Sequence, residues 1–193
     1  MRDMMKPTLS LFIICLITTF CLAFVYGITK DTIVERKEKD AEEQRRMVLR
    51  EADSFEELDG WEKQDQSGLI SKAYAAYKGE ELVGYVFNAL PKGYGGEIAV
   101  TVGVNSNNEI SGVKIGSNEE TPGLGAKAAD DAFTGQYTGK DISSVLKVTK
   151  VPAKADNEIQ AVSGATVSSR AVTKAVQASA ELGEKLFDGG DAK

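Results

Sequence analysis

Residues 69–90 read LISKAYAAYKGEELVGYVFNAL. Two runs rich in aromatic, aliphatic and small residues, 69–77 and 82–90, flank the break Lys78-Gly79-Glu80-Glu81. Each run has strand length and strand composition, and a short glycine-containing break between them predicts a β-hairpin. A second pair follows. Residues 97–104 (EIAVTVGV) lead through Asn105-Ser106-Asn107-Asn108 into a strand over 110–115. Ile98, Val100 and Val102 alternate with Ala99, Thr101 and Gly103, the period of a strand with one face buried. Strands joined by tight turns give an antiparallel sheet.

Further along, 126–133 predicts a short helix and 145–151 another strand. From Val167 the pattern changes period. Val172, Ala175, Val176, Ser179, Leu182 and Leu186 form one helical stripe, and Gly189-Gly190 predicts its end. The fold class is therefore α+β, an antiparallel sheet with helices packed on it.

On the other side of the hairpin lies a different kind of sequence. No residue from Pro7 to Thr29 is charged, and TLSLFIICLITTFCLAFVYGIT fills positions 8–29. As a helix this stretch reaches roughly 33 Å, enough to cross a hydrocarbon core of about 30 Å. A cleaved signal peptide is the rival reading; its apolar core of roughly 7–15 residues is shorter, and no small-x-small site follows here. The expectation is a retained single-pass anchor over 1–30. Residues 31–50 alternate in charge, with Glu35 four before Lys39 and Glu42 four before Arg46, which predicts a solvated helix. Residues 31–60 are then a helical stalk or linker and 61–193 the folded domain. Orientation is two-sided at this point. Arg2 and Lys6 precede the span, whereas Lys30, Arg36, Lys37, Lys39, Arg45, Arg46 and Arg50 follow it, and basic residues favour the cytoplasmic side.

Composition narrows the chemistry. The 193 residues are 42% hydrophobic and 27% charged, an ordinary globular balance. Residues 1–30 hold three of the 23 basic and one of the 29 acidic residues, so the remainder has 20 against 28, a net −8. No basic field exists to attract a nucleic acid. Histidine is absent, which excludes a histidine-based triad, metal site or proton relay. The two cysteines, Cys15 and Cys21, lie in the apolar span and cannot build a four-cysteine centre.

Chemistry is then left to three segments. Ser163-Gly164-Ala165-Thr166-Val167-Ser168-Ser169-Arg170 crowds hydroxyls, a glycine and a guanidinium at a helix start. Free N–H groups and the positive dipole end make such a start a phosphate site. Ser163 or Thr166 equally suits a plain N-cap. Upstream, Pro91-Lys92-Gly93-Tyr94-Gly95-Gly96 and Glu119-Glu120-Thr121-Pro122-Gly123-Leu124-Gly125 are glycine-rich breaks that also suit plain turns. Neither is a P-loop or a dinucleotide fingerprint.

Together, SGAT at 163–166, ETPGLG at 120–125 and GYGG at 93–96 resemble the FMN-binding domain of the G subunit of the Rnf electron-transport complex, a relative of the C subunit of the Na⁺-translocating NADH:quinone reductase. The resemblance runs from the apolar span to the last helix. It implies FMN joined covalently through its phosphate to Thr166 by a flavin transferase, with Ser163, Gly164 and Ala165 forming the attachment turn. It implies that Glu120, Thr121, Gly123, Leu124 and Gly125 flank the isoalloxazine, with Tyr94 at the ring. Gln160 stands where that family usually has aspartate. By resemblance the chain is an electron-carrying member of an ion-translocating ferredoxin:NAD⁺ oxidoreductase, seated in lipid in the bacterial cell membrane among the other subunits, with its flavin domain on the extracytoplasmic side. No independent turnover is required of it. Two other functions remain open on the residues alone: a cofactor-free anchored assembly module, and a flavin-dependent reductase of a soluble substrate.

Overall fold

The structure is a computed structural model that describes residues 2–189. Gly190, expected beside Gly189 at the end of the last helix, lies outside the described residues. The chain divides into two compact units, Met1–Ala41 and Glu42–Lys193.

The first unit is helical and belongs to α1 (Arg2–Val48). Within it, Pro7–Lys30 is 24 residues long with mean hydropathy 2.5 and none of its most apolar window buried, so it is long and apolar enough to cross a membrane. Two of its threonines bond to the helix's own carbonyls: Thr18 Oγ1 donates to Ile14 O at 2.9 Å and Thr29 Oγ1 to Val25 O at 2.8 Å. Such back-bonding lets those two hydroxyls tolerate an apolar surrounding. Lys39 pairs with Glu35 at 2.7 Å, as the spacing predicts.

In the second unit, strands β1 (Ser54–Glu57), β2 (Ile70–Lys78), β3 (Glu81–Ala89), β4 (Ile98–Asn105) and β5 (Ile110–Asn118) pair in chain order as a five-stranded antiparallel meander. Both expected hairpins are present, and β3 and β4 join them, with Tyr74 opposite Val86 and Phe87 opposite Val102. Helix α3 (Thr166–Asp188) lies across one face. Its Val172, Ala175, Val176 and Leu182 are buried against Phe87, Val100, Val102 and Val104, and Leu186 packs at the edge of that cluster. Burying each Val or Leu is worth roughly 1.5–3 kcal/mol, so the stripe fixes the helix on the sheet. The aromatic ring of Phe187 meets Tyr85 with centroids 4.8 Å apart.

Three features differ from the expectation. First, β4 is buried on both faces over most of its length, not one. Residues 48–52 cross the far side of the sheet, where Val48, Leu49 and Ala52 form a second core with Tyr74, Ala76, Val83 and Val86. Ser111 Oγ donates to Val48 O at 2.6 Å, and the Arg45 guanidinium lies 4.4 Å from the Tyr74 ring centroid. Within the segment expected as stalk or linker, residues 42–60 therefore fold with the sheet and supply β1. Second, 126–133 forms a 3₁₀ segment, Gly125–Ala129, and a four-residue helix, α2 (Asp131–Thr134), in place of one helix. Third, the 145–151 strand is reduced to β6 (Lys147–Thr149). It pairs in parallel with β7 (Glu158–Gln160) in a separate two-stranded sheet.

Candidate functional site

Thr166 is the first residue of α3, and the segment before it decides how that helix begins. Ala165 N–H donates to Val162 O at 3.0 Å, closing a tight turn. Gly164 sits inside that turn at φ +78°, a conformation that strains any residue with a Cβ. Ser169, fully buried, fastens the turn from below. Its Oγ accepts the Val162 amide at 3.0 Å and donates to Ala165 O at 2.9 Å.

The N-cap position belongs to Ala165, and no side chain caps the helix. The capping role left open for Ser163 and Thr166 is thereby excluded. Among the described residues, the Thr166 hydroxyl has no hydrogen-bond partner, and the Thr166, Val167 and Ser168 amides have no acceptor. The crowded hydroxyls thus divide: Ser168 and Ser169 are buried and bonded, Ser163 is exposed, and Thr166 is half-buried and unspent.

A cavity of about 530 Å³ opens beside this helix start, a common size for a cofactor pocket. Gly164, Ala165 and Thr166 line one side, and Glu120, Thr121, Leu124 and Gly125 another, with Tyr94 at the mouth. Ser163 and Gly123, also expected at the site, belong to the same two turns but do not line it. Arg170, expected to add donors, is exposed and likewise outside the lining. Val167 and Ser168, part of the expected helix-start segment but assigned no contact of their own, are both in the wall. Val167 left a trace: it is an apolar residue off the helix stripe, and it is 54% exposed.

The loop after β5 is a turn with Pro122-Gly123 at its centre, closed by Leu124 N–H to Thr121 O at 3.1 Å. Glu120 does not extend into the cavity as a free carboxylate. It is 7% exposed and takes the Tyr94 amide at 2.7 Å, the Gly95 amide at 3.1 Å and the Ser168 hydroxyl at 2.7 Å. Burial pushes its pKa up, but those three donors outweigh burial and hold it below the usual carboxylate range. A Cβ on Gly125 would collide with Glu120 Oε2 and approach Ser168 Oγ, so glycine is what lets the loop close on the helix start.

Gln160 is exposed, and its backbone is held in both directions by Gln136. Its N–H donates to Gln136 Oε1 at 2.7 Å, and Gln136 Nε2 donates to its carbonyl at 3.1 Å.

The residues present fit a flavin phosphate. The helix start offers three unpaired amides and a positive dipole end for its charge, and an unbonded hydroxyl for its ester. Leu124, Val167 and Tyr94 offer apolar and aromatic surface for a ring.

Comparison with known proteins agrees. Residues 93–181 match the FMN-binding domain family, a span that contains every cavity residue. The G subunit of the proton-translocating ferredoxin:NAD(+) oxidoreductase complex of Clostridium ljungdahlii is 37% identical, over 90% of this chain and 88% of its own. The Na(+)-translocating counterpart of Acetobacterium woodii is 34% identical, over 94% and 92%. In fold, Shewanella oneidensis NqrC is similar with a TM-score of 0.57 at 21% identity, over 79% of this chain and 98% of that one. The C subunit of the Na(+)-translocating NADH-quinone reductase from Parabacteroides distasonis gives 0.53 at 23% identity, over 62% and 64%. From the uncapped helix start through the cavity to these relatives, one conclusion follows: the chain belongs to the G-subunit family of ion-translocating oxidoreductase complexes and carries an FMN-binding domain.

Proposed function

We propose that this chain is the membrane-anchored flavoprotein that carries electrons through FMN within an ion-translocating ferredoxin:NAD⁺ oxidoreductase complex, and that Thr166 holds the FMN as a phosphoester. What carries the reading is the Thr166 hydroxyl: half-buried, without a partner among the described residues, at an uncapped helix N-terminus and opening into a cavity of about 530 Å³. When bound, FMN supplies the redox chemistry, which suits a chain without histidine and with cysteines only in its apolar span.

The chain's own residues do the rest. The amides of Thr166, Val167 and Ser168 bind the phosphate charge. Leu124, Val167 and Tyr94 shield the ring from water on their sides, and the Gly123-centred turn frames the cavity. A dedicated flavin transferase would form the ester from the exposed side, where Ser163 and Gly164 are open to solvent, the Thr166 oxygen losing its proton and displacing the leaving group of an activated flavin phosphate. A tether retains the flavin of a domain outside the cytoplasm, where no pool would replace a lost one.

The Pro7–Lys30 helix is the single anchor in lipid, and other subunits of the complex are the partners, as the relatives imply. We place the flavin domain outside the cytoplasm, on the resemblance to that family and against the basic-residue count; protease added to intact spheroplasts should then digest it, and protection there would reverse the orientation.

Retention of colour tests the covalent reading. Protein co-expressed with a flavin transferase should remain yellow after acid precipitation. A colourless pellet beneath a yellow supernatant would show dissociable flavin and contradict the ester.

A further inference from the structure

The Glu120 side chain joins two parts of the cavity wall that are otherwise separate in sequence. One oxygen, Oε1, accepts the amides of Tyr94 and Gly95 at 2.7 and 3.1 Å. The other, Oε2, accepts the hydroxyl of Ser168, two residues after Thr166, at 2.7 Å. The side chain is only 7% exposed, so these bonds are largely sheltered from water.

We propose that Glu120 is a positioning residue of the flavin cavity: its ionised carboxylate clamps the Tyr94 turn to the helix start that carries Thr166 and so holds the cavity in one shape. This rests on the reading of that cavity as the flavin site.

The charge pattern around it supports the clamp. The charged groups on the elements around Glu120 are Lys92 and Glu97 on the Tyr94 turn, Glu119 beside it, Lys114 on β5, Lys127 in the Gly125–Ala129 segment, and Arg170 in the first turns of α3 with Lys174, Glu181, Glu184, Lys185 and Asp188 farther along it. None is ion-paired with it, so the three donors alone stabilise its charge. Burial works against ionisation and the three bonds more than offset it. A carboxylate whose folded pKa is depressed contributes its bonds at pH above its unfolded value of about 4.3. That contribution is lost as pH falls through the lower folded value.

The test uses the full chain in detergent, loaded with flavin, and two readouts against pH. One is the amide proton shifts of Tyr94 and Gly95 by NMR; the other is flavin emission, sensitive to the placement of the Tyr94 ring. Glu120→Gln keeps an oxygen for both amides and an NH₂ facing Ser168, but it does not titrate. Wild type is expected to show one acid transition in both readouts, coincident with the Glu120 carboxyl carbon. Glu120→Gln should keep the neutral-pH signals and lose the transition, whereas Glu120→Ala should lack the downfield amide shifts at every pH. Ser168→Ala should move the midpoint upward, because one of the bonds favouring the charged form is gone.

The clamp is overturned if Glu120→Gln retains the transition at the wild-type midpoint, or if Glu120→Ala leaves the Tyr94 and Gly95 shifts unchanged. Should Glu120→Ala fail to fold, the Gln and Ser168 variants still decide. If the protein carries no flavin, the cofactor reading fails by itself, while the amide shifts still report on the clamp.

Discussion

Two hollows of nearly equal size open in the sheet-bearing unit, and they differ in what their polar groups are doing. One, of about 560 Å³, lies between residues 47–51, β5 and the α2 region. Its half-buried polar side chains Ser111 and Lys114 are paired, Ser111 Oγ with Val48 O at 2.6 Å and Lys114 Nζ with Asp131 Oδ1 at 2.6 Å, while its Arg50, Glu51 and Thr138 face solvent. The other, of about 530 Å³, keeps a threonine hydroxyl and three helix amides without partners among the described residues. Size therefore does not mark the site. First-turn amides are unpaired in any helix, so what sets the second hollow apart is that no side chain caps this helix and a half-buried hydroxyl stands beside its amides, an arrangement that suits a phosphate.

Breaking the second hollow should have the largest effect. Thr166→Ala is expected to abolish covalent flavin while costing about 0.5 kcal/mol or less in stability, since the hydroxyl bonds to nothing described and caps nothing. Flavin absorbance of the denatured chain and a urea unfolding curve check the two halves. Next, Gly125→Ala forces a Cβ against Glu120 Oε2 and should destabilise the unit by about 1–3 kcal/mol. Its flavin content should fall with the loss of cavity shape, read as absorbance per chain.

In the first hollow, Ser111→Ala removes one hydrogen bond to Val48 O and should cost about 0.5–1.5 kcal/mol with flavin content unchanged. Lys114→Met removes a pair whose acidic partner is well exposed, so neither the unfolding midpoint nor the flavin content should move measurably. Flavin loss in either of these last two variants would erase the distinction between the hollows.

What the amino-acid order reveals depends on where each signal lives. The hairpins and α3 are legible because alternation and the 3.6-residue stripe are carried by many residues each. The motif segments stand out by composition, and Thr166 by resemblance. The second core does not. It depends on Val48, Leu49 and Ala52, too few residues to display a period, and on Tyr74, Ala76 and Val86, which read as the outer side of a half-buried sheet. The parallel β6–β7 pair has three residues a side, again without periodicity. Resemblance puts Glu120 at the site, but its role as a clamp depends on three donors 25, 26 and 48 positions away in the chain, which no local pattern encodes. Likewise, the residues at 163–166 allow Ser163 or Thr166 as a cap, and only the backbone at Ala165 shows that neither is one.

The measurement that bears most directly on the central claim is the mass of this chain purified from its native membrane, followed by peptide mapping. We expect one added mass equal to FMN less a water, on the peptide that contains Thr166. An unmodified peptide, or the same adduct on any other residue, would contradict attachment at the start of α3.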